Sequence, residues 1–264
     1  QSEVNKLIES AVANAGNNAE SSKMLANVIT KSDAGSISLM INRIQTVSES
    51  NANSNLSLQV LSSVADANAA RAATDPAGLN TTFLNTGGQS EVNKLIESAV
   101  ANAGNNPESS KMLANVITKS DAATVGTMLN NIATVSSKDS NSTLAAQVLS
   151  SVADSTSFYN VDFGGEEQAQ IDRLMETAVF SAATSEDGAM LLANIMSKGS
   201  EESVYMMMDT IGQVGETFTD STLASEVLSS MAYNESFEDM NFEGEGQAQI
   251  DQMMEDAVFS EATS

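Results

Sequence analysis

The chain has 264 residues, 35 Asp and Glu against 11 Lys and Arg for a net charge of −24, and neither His nor Cys. Nucleophiles activated through imidazole, thiolate chemistry, ordinary zinc sites and a disulfide framework are therefore excluded. Scarce cations also argue against nucleic acid, whose phosphates are met by clustered Lys and Arg, and no apolar run approaches the roughly 18 residues of a membrane-spanning helix.

Taken from its start, the chain is a tandem array. Residues 1–34 and 89–122 are identical except that Ala19 becomes Pro107, a diverged copy begins at Gln168, and a fourth opens at Gln247. Self-similarity at a fixed period decides architecture before any local signal. It divides the chain into units 1–88 (with a longer linker at 66–88), 89–167 and 168–246, and an incomplete unit 247–264, so the chain reads as a piece of a longer polypeptide. Charge drifts along the array, with net values of −2, −5 and −17 for residues 1–88, 89–167 and 168–264.

Within a unit every segment has helical period. Val4, Leu7, Ile8, Ala11, Val12 and Ala15 recur at the spacing of one helix face, and Gly16 supplies the flexible position that ends a helix. Asn18 then caps a second helix through its side-chain oxygen. Pro107 falls just after Asn106, at a first helical position where its missing N–H costs nothing, and Ser185-Glu186-Asp187 takes that place in the third copy. Met24, Leu25, Val28 and Ile29 form the second stripe. A third helix starts near Asp33, Asp121 and Ser200, with Ile37, Met40, Ile41, Ile44 and Val47 as its stripe. A fourth starts near Asn53, Asn141 and Asp220 and carries Leu56, Val60, Leu61 and Val64. With 4% aromatics and no Trp, the cores must be aliphatic. Ten of the 14 Met lie at or beyond Met175, mostly as substitutes for aliphatic core residues, with Met207 expected as the exception.

Between units the pattern becomes extended and aromatic. Phe158, Tyr159 and Phe163, and then Phe237 and Phe242, are candidates for packing across the seam between neighbouring units. The expected fold is all-α: tandem repeats of about four short helices per unit of ~79 residues, as a stacked α-solenoid or a string of small bundles, joined by short extended aromatic connectors.

Chemistry is sparse. Phosphate-cradling and nucleophile-elbow motifs are missing, so no enzyme is expected. Glu235, Glu238, Asp239, Glu243 and Glu245, with Asp162, Glu166 and Glu167 as counterpart, are a candidate for calcium without EF-hand spacing; no other cofactor is implied. In the incomplete unit Ile250, Met253, Met254, Ala257 and Val258 make an apolar stripe whose sister helices are missing, a candidate assembly face for further chain or another subunit. Near-identical copies suit a role in which number sets length. The expectation is a structural repeat segment of an extracellular or cell-surface filament, stalk or fibrous adhesin, with self-association or continuation of the chain, no nucleic acid and no membrane insertion. A virion appendage and an α-solenoid scaffold presenting a helical surface to a protein are the alternatives.

Overall fold

The computed structural model describes residues 2–51, 54–74, 89–139, 142–155, 166–183, 185, 187–199, 201–218 and 221–232, and positions 251, 254, 255 and 258. These hold twelve helices, four for each complete copy of the repeat: α1 (Ser2–Ala15), α2 (Ala19–Ile29), α3 (Ala34–Glu49), α4 (Leu56–Thr74), α5 (Gln89–Ala101), α6 (Pro107–Lys119), α7 (Ala122–Ser136), α8 (Leu144–Ala153), α9 (Glu166–Ala182), α10 (Gly188–Lys198), α11 (Glu201–Thr217) and α12 (Leu223–Ala232). The chain is therefore all-α with tandem helical repeats, and none of its described helices is long and apolar enough to cross a membrane. Two compact bodies result, Gln1–Asn131 and Ile132–Ser264.

The helix ends follow from their sequence. Gly16 and Gly104 adopt φ of +53° and +54°, the left-handed conformation that closes a helix and that a Cβ disfavours. Asn18 accepts hydrogen bonds from the N–H groups of Glu20 and Ser21 at 3.0 and 3.1 Å. Asn106 repeats this with Glu108 and Ser109 at 2.9 and 3.3 Å, with Pro107 in the first turn. Asp33 and Asp121 accept from Ser36 and Thr124 at 3.0 and 2.9 Å; these hydrogen bonds, the Ser36 backbone first, hold the Asp33 carboxyl below its ordinary value. Ser200, Asn53, Asn141 and Asp220 lie outside the described residues. Beside the last three, Ser54, Ser142 and Ser221 accept from the N–H groups of Leu56, Leu144 and Leu223 at 3.4, 3.4 and 3.3 Å. One start differs from expectation. α10 begins at Gly188, not after Ser185, and Asp187 makes no side-chain cap bond. A Cβ on Gly188 would stand 2.4 Å from the Ala182 carbonyl oxygen, so the first residue of α10 lies too close to the end of α9 for any side chain.

Each body is built in two rows. In the first, α1, α3 and α5 pack side by side, as do α2, α4 and α6, with α4 also against α3 and α5. In the second, α8, α10 and α12 form one row and α9 and α11 the other. Each odd-numbered helix joins the next by a short turn, so the packing element is a helix pair and each repeat supplies two. Buried Ser22, Leu25, Ala26 and Ile29 of α2 match buried Ser57, Val60, Leu61 and Val64 of α4 in spacing, which lets successive pairs present the same face. The cores are aliphatic, with Ile29, Met40, Ile41, Ile44, Leu61, Leu95, Leu113 and Met128 fully enclosed. Met207 is also fully buried, correcting the expectation that it stands outside; among the described methionines from Met175 on, Met190 and Met254 are exposed instead, at 61% and 47%.

Candidate interaction surface

Polar side chains on the even-numbered helices serve packing. Asn115 Nδ2 donates to Ser62 Oγ at 2.9 Å and to Asp66 Oδ1 at 3.0 Å, and Lys119 Nζ lies 2.5 Å from the same carboxylate. The second body repeats the arrangement one copy on: Asn194 Nδ2 donates to Ser150 Oγ at 2.7 Å and to Asp154 Oδ1 at 3.1 Å, and Lys198 pairs with Asp154. Burial alone would raise both aspartates, but hydrogen bonds from the lysine and the asparagine outweigh it and both are lowered. These rungs join neighbouring helix pairs through a Ser-x-x-x-Asp on one helix and an Asn-x-x-x-Lys on the next.

Among the described residues no group of three or more Asp, Glu, His or Cys could hold a metal ion. Glu235, Glu238, Asp239, Glu243, Glu245 and Asp162 lie outside the described residues, as do the side chains of Glu166 and Glu167 and the connector aromatics Phe158, Tyr159, Phe163, Phe237 and Phe242. Of the terminal stripe, Met254 and Val258 are 47% and 69% exposed, and Ile250, Met253 and Ala257 are not described.

Sequence reasoning missed where large apolar side chains reach solvent. In the second body Phe180, Met190 and Phe218 are exposed. The positions 79 residues earlier carry Ala101, Lys111 and Asp139, all exposed. Phe180 ends α9, Met190 lies in the first turn of α10, and the Phe218 N–H donates to Val214 O at 2.8 Å at the end of α11. Since α9 and α11 pack side by side and each turns at once into an even-numbered helix, the three share the turn end of two adjacent pairs. Scattered exposed apolar residues are ordinary, whereas several on one end of a soluble body mark contact surfaces. Aligning the copies would have flagged all three, because each substitution is small or charged to large and apolar at a solvent position.

No family model matches the chain, and no curated protein matches it. Among solved structures it is similar to the Puf3 RNA-binding domain bound to a Cox17 RNA 3′ UTR recognition sequence, site A, with a TM-score of 0.45 and 10% identity, covering 98% of this chain and 66% of that one. The likeness is one of helical-repeat fold, and this chain spans under two thirds of that neighbour's length. Two expectations are corrected beside it: a segment of an extracellular filament or stalk, and the exclusion of nucleic acid as partner. The filament reading rested on the near-identity of two copies, which speaks to how units pack and not to what their surface touches. The exclusion used the net charge of the whole chain, which is unevenly held: residues 1–131 carry −3 and residues 132–264 carry −21. A sum over the chain does not decide what one helix face binds.

Proposed function

We propose that the chain is a non-catalytic helical-repeat binding module that engages a protein through the turn end of its second body. The observation that carries this reading is the exposure of Phe180, Met190 and Phe218 where the neighbouring copy keeps Ala101, Lys111 and Asp139. Aromatic and Met side chains are enriched at the centres of interfaces, the aromatics because they bury large area with few rotatable bonds and Met because it adapts its shape to the partner. The same body carries −21, so the matching surface is an apolar centre with a basic rim, and association should slow as salt rises. Lack of His and Cys, with the carboxylates of the rungs engaged in packing, supports a scaffold in place of an enzyme.

The test is the triple reversion Phe180→Ala, Met190→Lys and Phe218→Asp, which restores residues the fold already tolerates at equivalent positions. Wild-type and reverted chains are used to capture partners from extract with and without nuclease. A protein retained by wild type, lost with the reversion and indifferent to nuclease supports the reading. Equal capture by both chains refutes it, and capture abolished by nuclease replaces protein with nucleic acid.

A further inference from the structure

The first two copies each pair a carboxylate with a lysine at the start of an even-numbered helix. Lys23 Nζ lies 2.9 Å from Glu20 Oε1 on α2, and Lys111 Nζ lies 2.8 Å from Glu108 Oε1 on α6. The third copy keeps the carboxylate as Asp187 and puts Met190 where the lysine stands. Spacing is retained, because the Leu191 N–H donates to the Asp187 carbonyl oxygen at 3.1 Å and Met190 follows one helical turn after Asp187. Asp187 is exposed and makes no cap bond. It holds the position of Glu20 and Glu108 without their ammonium.

Nothing nearby in sequence replaces that cation. Residues 174–197 and 199–264 contain neither Lys nor Arg, and Lys198, at the far end of α10, is engaged with Asp154. The change extends over the whole stretch between the two odd-to-even turns. Residues 101–147 carry three cations and three carboxylates, whereas the equivalent residues 180–226 carry one cation and eight carboxylates. Glu226, exposed in the first turn of α12, stands where the earlier copies have Gln59 and Gln147. Since α10 and α12 pack side by side and begin at the same end, Asp187 and Glu226 flank Phe180, Met190 and Phe218. Loss of lysine, gain of carboxylate and exposure of large apolar side chains thus coincide at one end.

We infer that the turn end of the second body recognises a basic protein segment. A Lys or Arg of that segment reaches Asp187 as Lys111 reaches Glu108, and apolar side chains beside it cover Phe180, Met190 and Phe218. The inference rests on the binding face proposed above and names what that face selects. On an open surface such a pair is worth little. Under an apolar cover that excludes water the same contact strengthens, and it distinguishes a basic segment from a neutral one of equal size.

The probes are a short fluorescein-labelled amphipathic peptide of Leu and Lys and the same peptide with Gln for every Lys, titrated with the full chain and read by anisotropy. The triple reversion Phe180→Ala, Met190→Lys and Phe218→Asp leaves net charge unchanged, so bulk attraction to an acidic body cancels in the comparison. Wild type should bind the Lys peptide about tenfold more tightly than the reverted chain, through the apolar area it covers. Asp187→Asn should weaken the Lys peptide about two- to fivefold and leave the Gln peptide unchanged. Asp209→Asn, which removes the same charge more than two turns before Phe218, should have a smaller effect. Equal affinity for the two peptides, or equal effects of Asp187→Asn and Asp209→Asn, overturns the inference while the apolar face stands. Equal binding of both peptides by wild-type and reverted chains removes the face and the inference together. Single-stranded RNA bound more tightly by wild type than by the reverted chain also overturns it, by making nucleic acid the occupant.

Discussion

Leu7 and Leu95 occupy the same position in the same local sequence, so replacing each by Ala isolates the effect of the neighbouring helix pair. Leu95 is fully buried. Its truncation removes about three methylene equivalents, or ~2.4 kcal/mol of transfer free energy, and the cavity left behind brings the cost to about 3–5 kcal/mol. Leu7 keeps 71% of its exposure, so about three tenths of the transfer term remains, ~0.7 kcal/mol, with no enclosed cavity. Both residues lie in Gln1–Asn131, so both changes act on the same body. Urea unfolding followed by circular dichroism reads the difference. With m near 2 kcal/mol/M, Leu95→Ala should lower the midpoint of the first body by more than about 1 M and Leu7→Ala by about 0.4 M. Equal shifts would refute the reasoning, because they would mean that α1 and α5 are equally enclosed.

Three further outcomes are expected. Ala19→Pro should stabilise the first body by about 0.4–1 kcal/mol by restricting the unfolded chain, since Asn18 already has the φ of −93° and ψ of 116° that Asn106 shows before Pro107 (−91°, 117°); a lower thermal midpoint would contradict this. Ser57 Oγ donates to Ser48 Oγ at 2.7 Å and lies 3.0 Å from Ser98 Oγ, but in the next copy Ala145 replaces Ser57 and the buried Ser136 hydroxyl has no partner. Ser136→Ala should therefore be neutral or stabilising and Ser48→Ala should cost about 1 kcal/mol, as measured by denaturant midpoint. Because the folded carboxyl of Asp66 is lowered from 3.8, its stabilisation is fully present above the ordinary aspartate range and fades as pH falls through the depressed value. Asp66→Asn should flatten the loss of stability below about pH 4, and an unchanged acid limb would count against the rung.

The helices were legible because the copies repeat each signal. Ala19 replaced by Pro107 marks a first helical turn whichever copy is read, and Gly16 and Gly104 mark the ends. Neighbours were not legible. A stripe such as Leu7, Ala11 and Ala15 states that one face is apolar, not whether anything covers it, and Leu7 and Ala11 are exposed while Leu95 and Ala99 are enclosed. Periodicity likewise left Met207 and Met190 unsorted, since both fall in helices and only packing separates them. The rung escaped notice because Asn115 and Lys119 are ordinary surface residues until α4 brings Ser62 and Asp66 opposite. Net charge alone did not sort partners, because it sums a nearly balanced first body with a strongly acidic second one.

The central claim is that identical helices become different surfaces according to which pair stands beside them. Paramagnetic relaxation of side-chain methyls by a soluble agent tests it most directly, with Leu7, Val28, Leu95 and Val116 assigned by single substitution in the full chain. Strong broadening of Leu7 and Val28 with Leu95 and Val116 untouched is the expected result. Equal protection of the two sets, or equal broadening, would contradict the account.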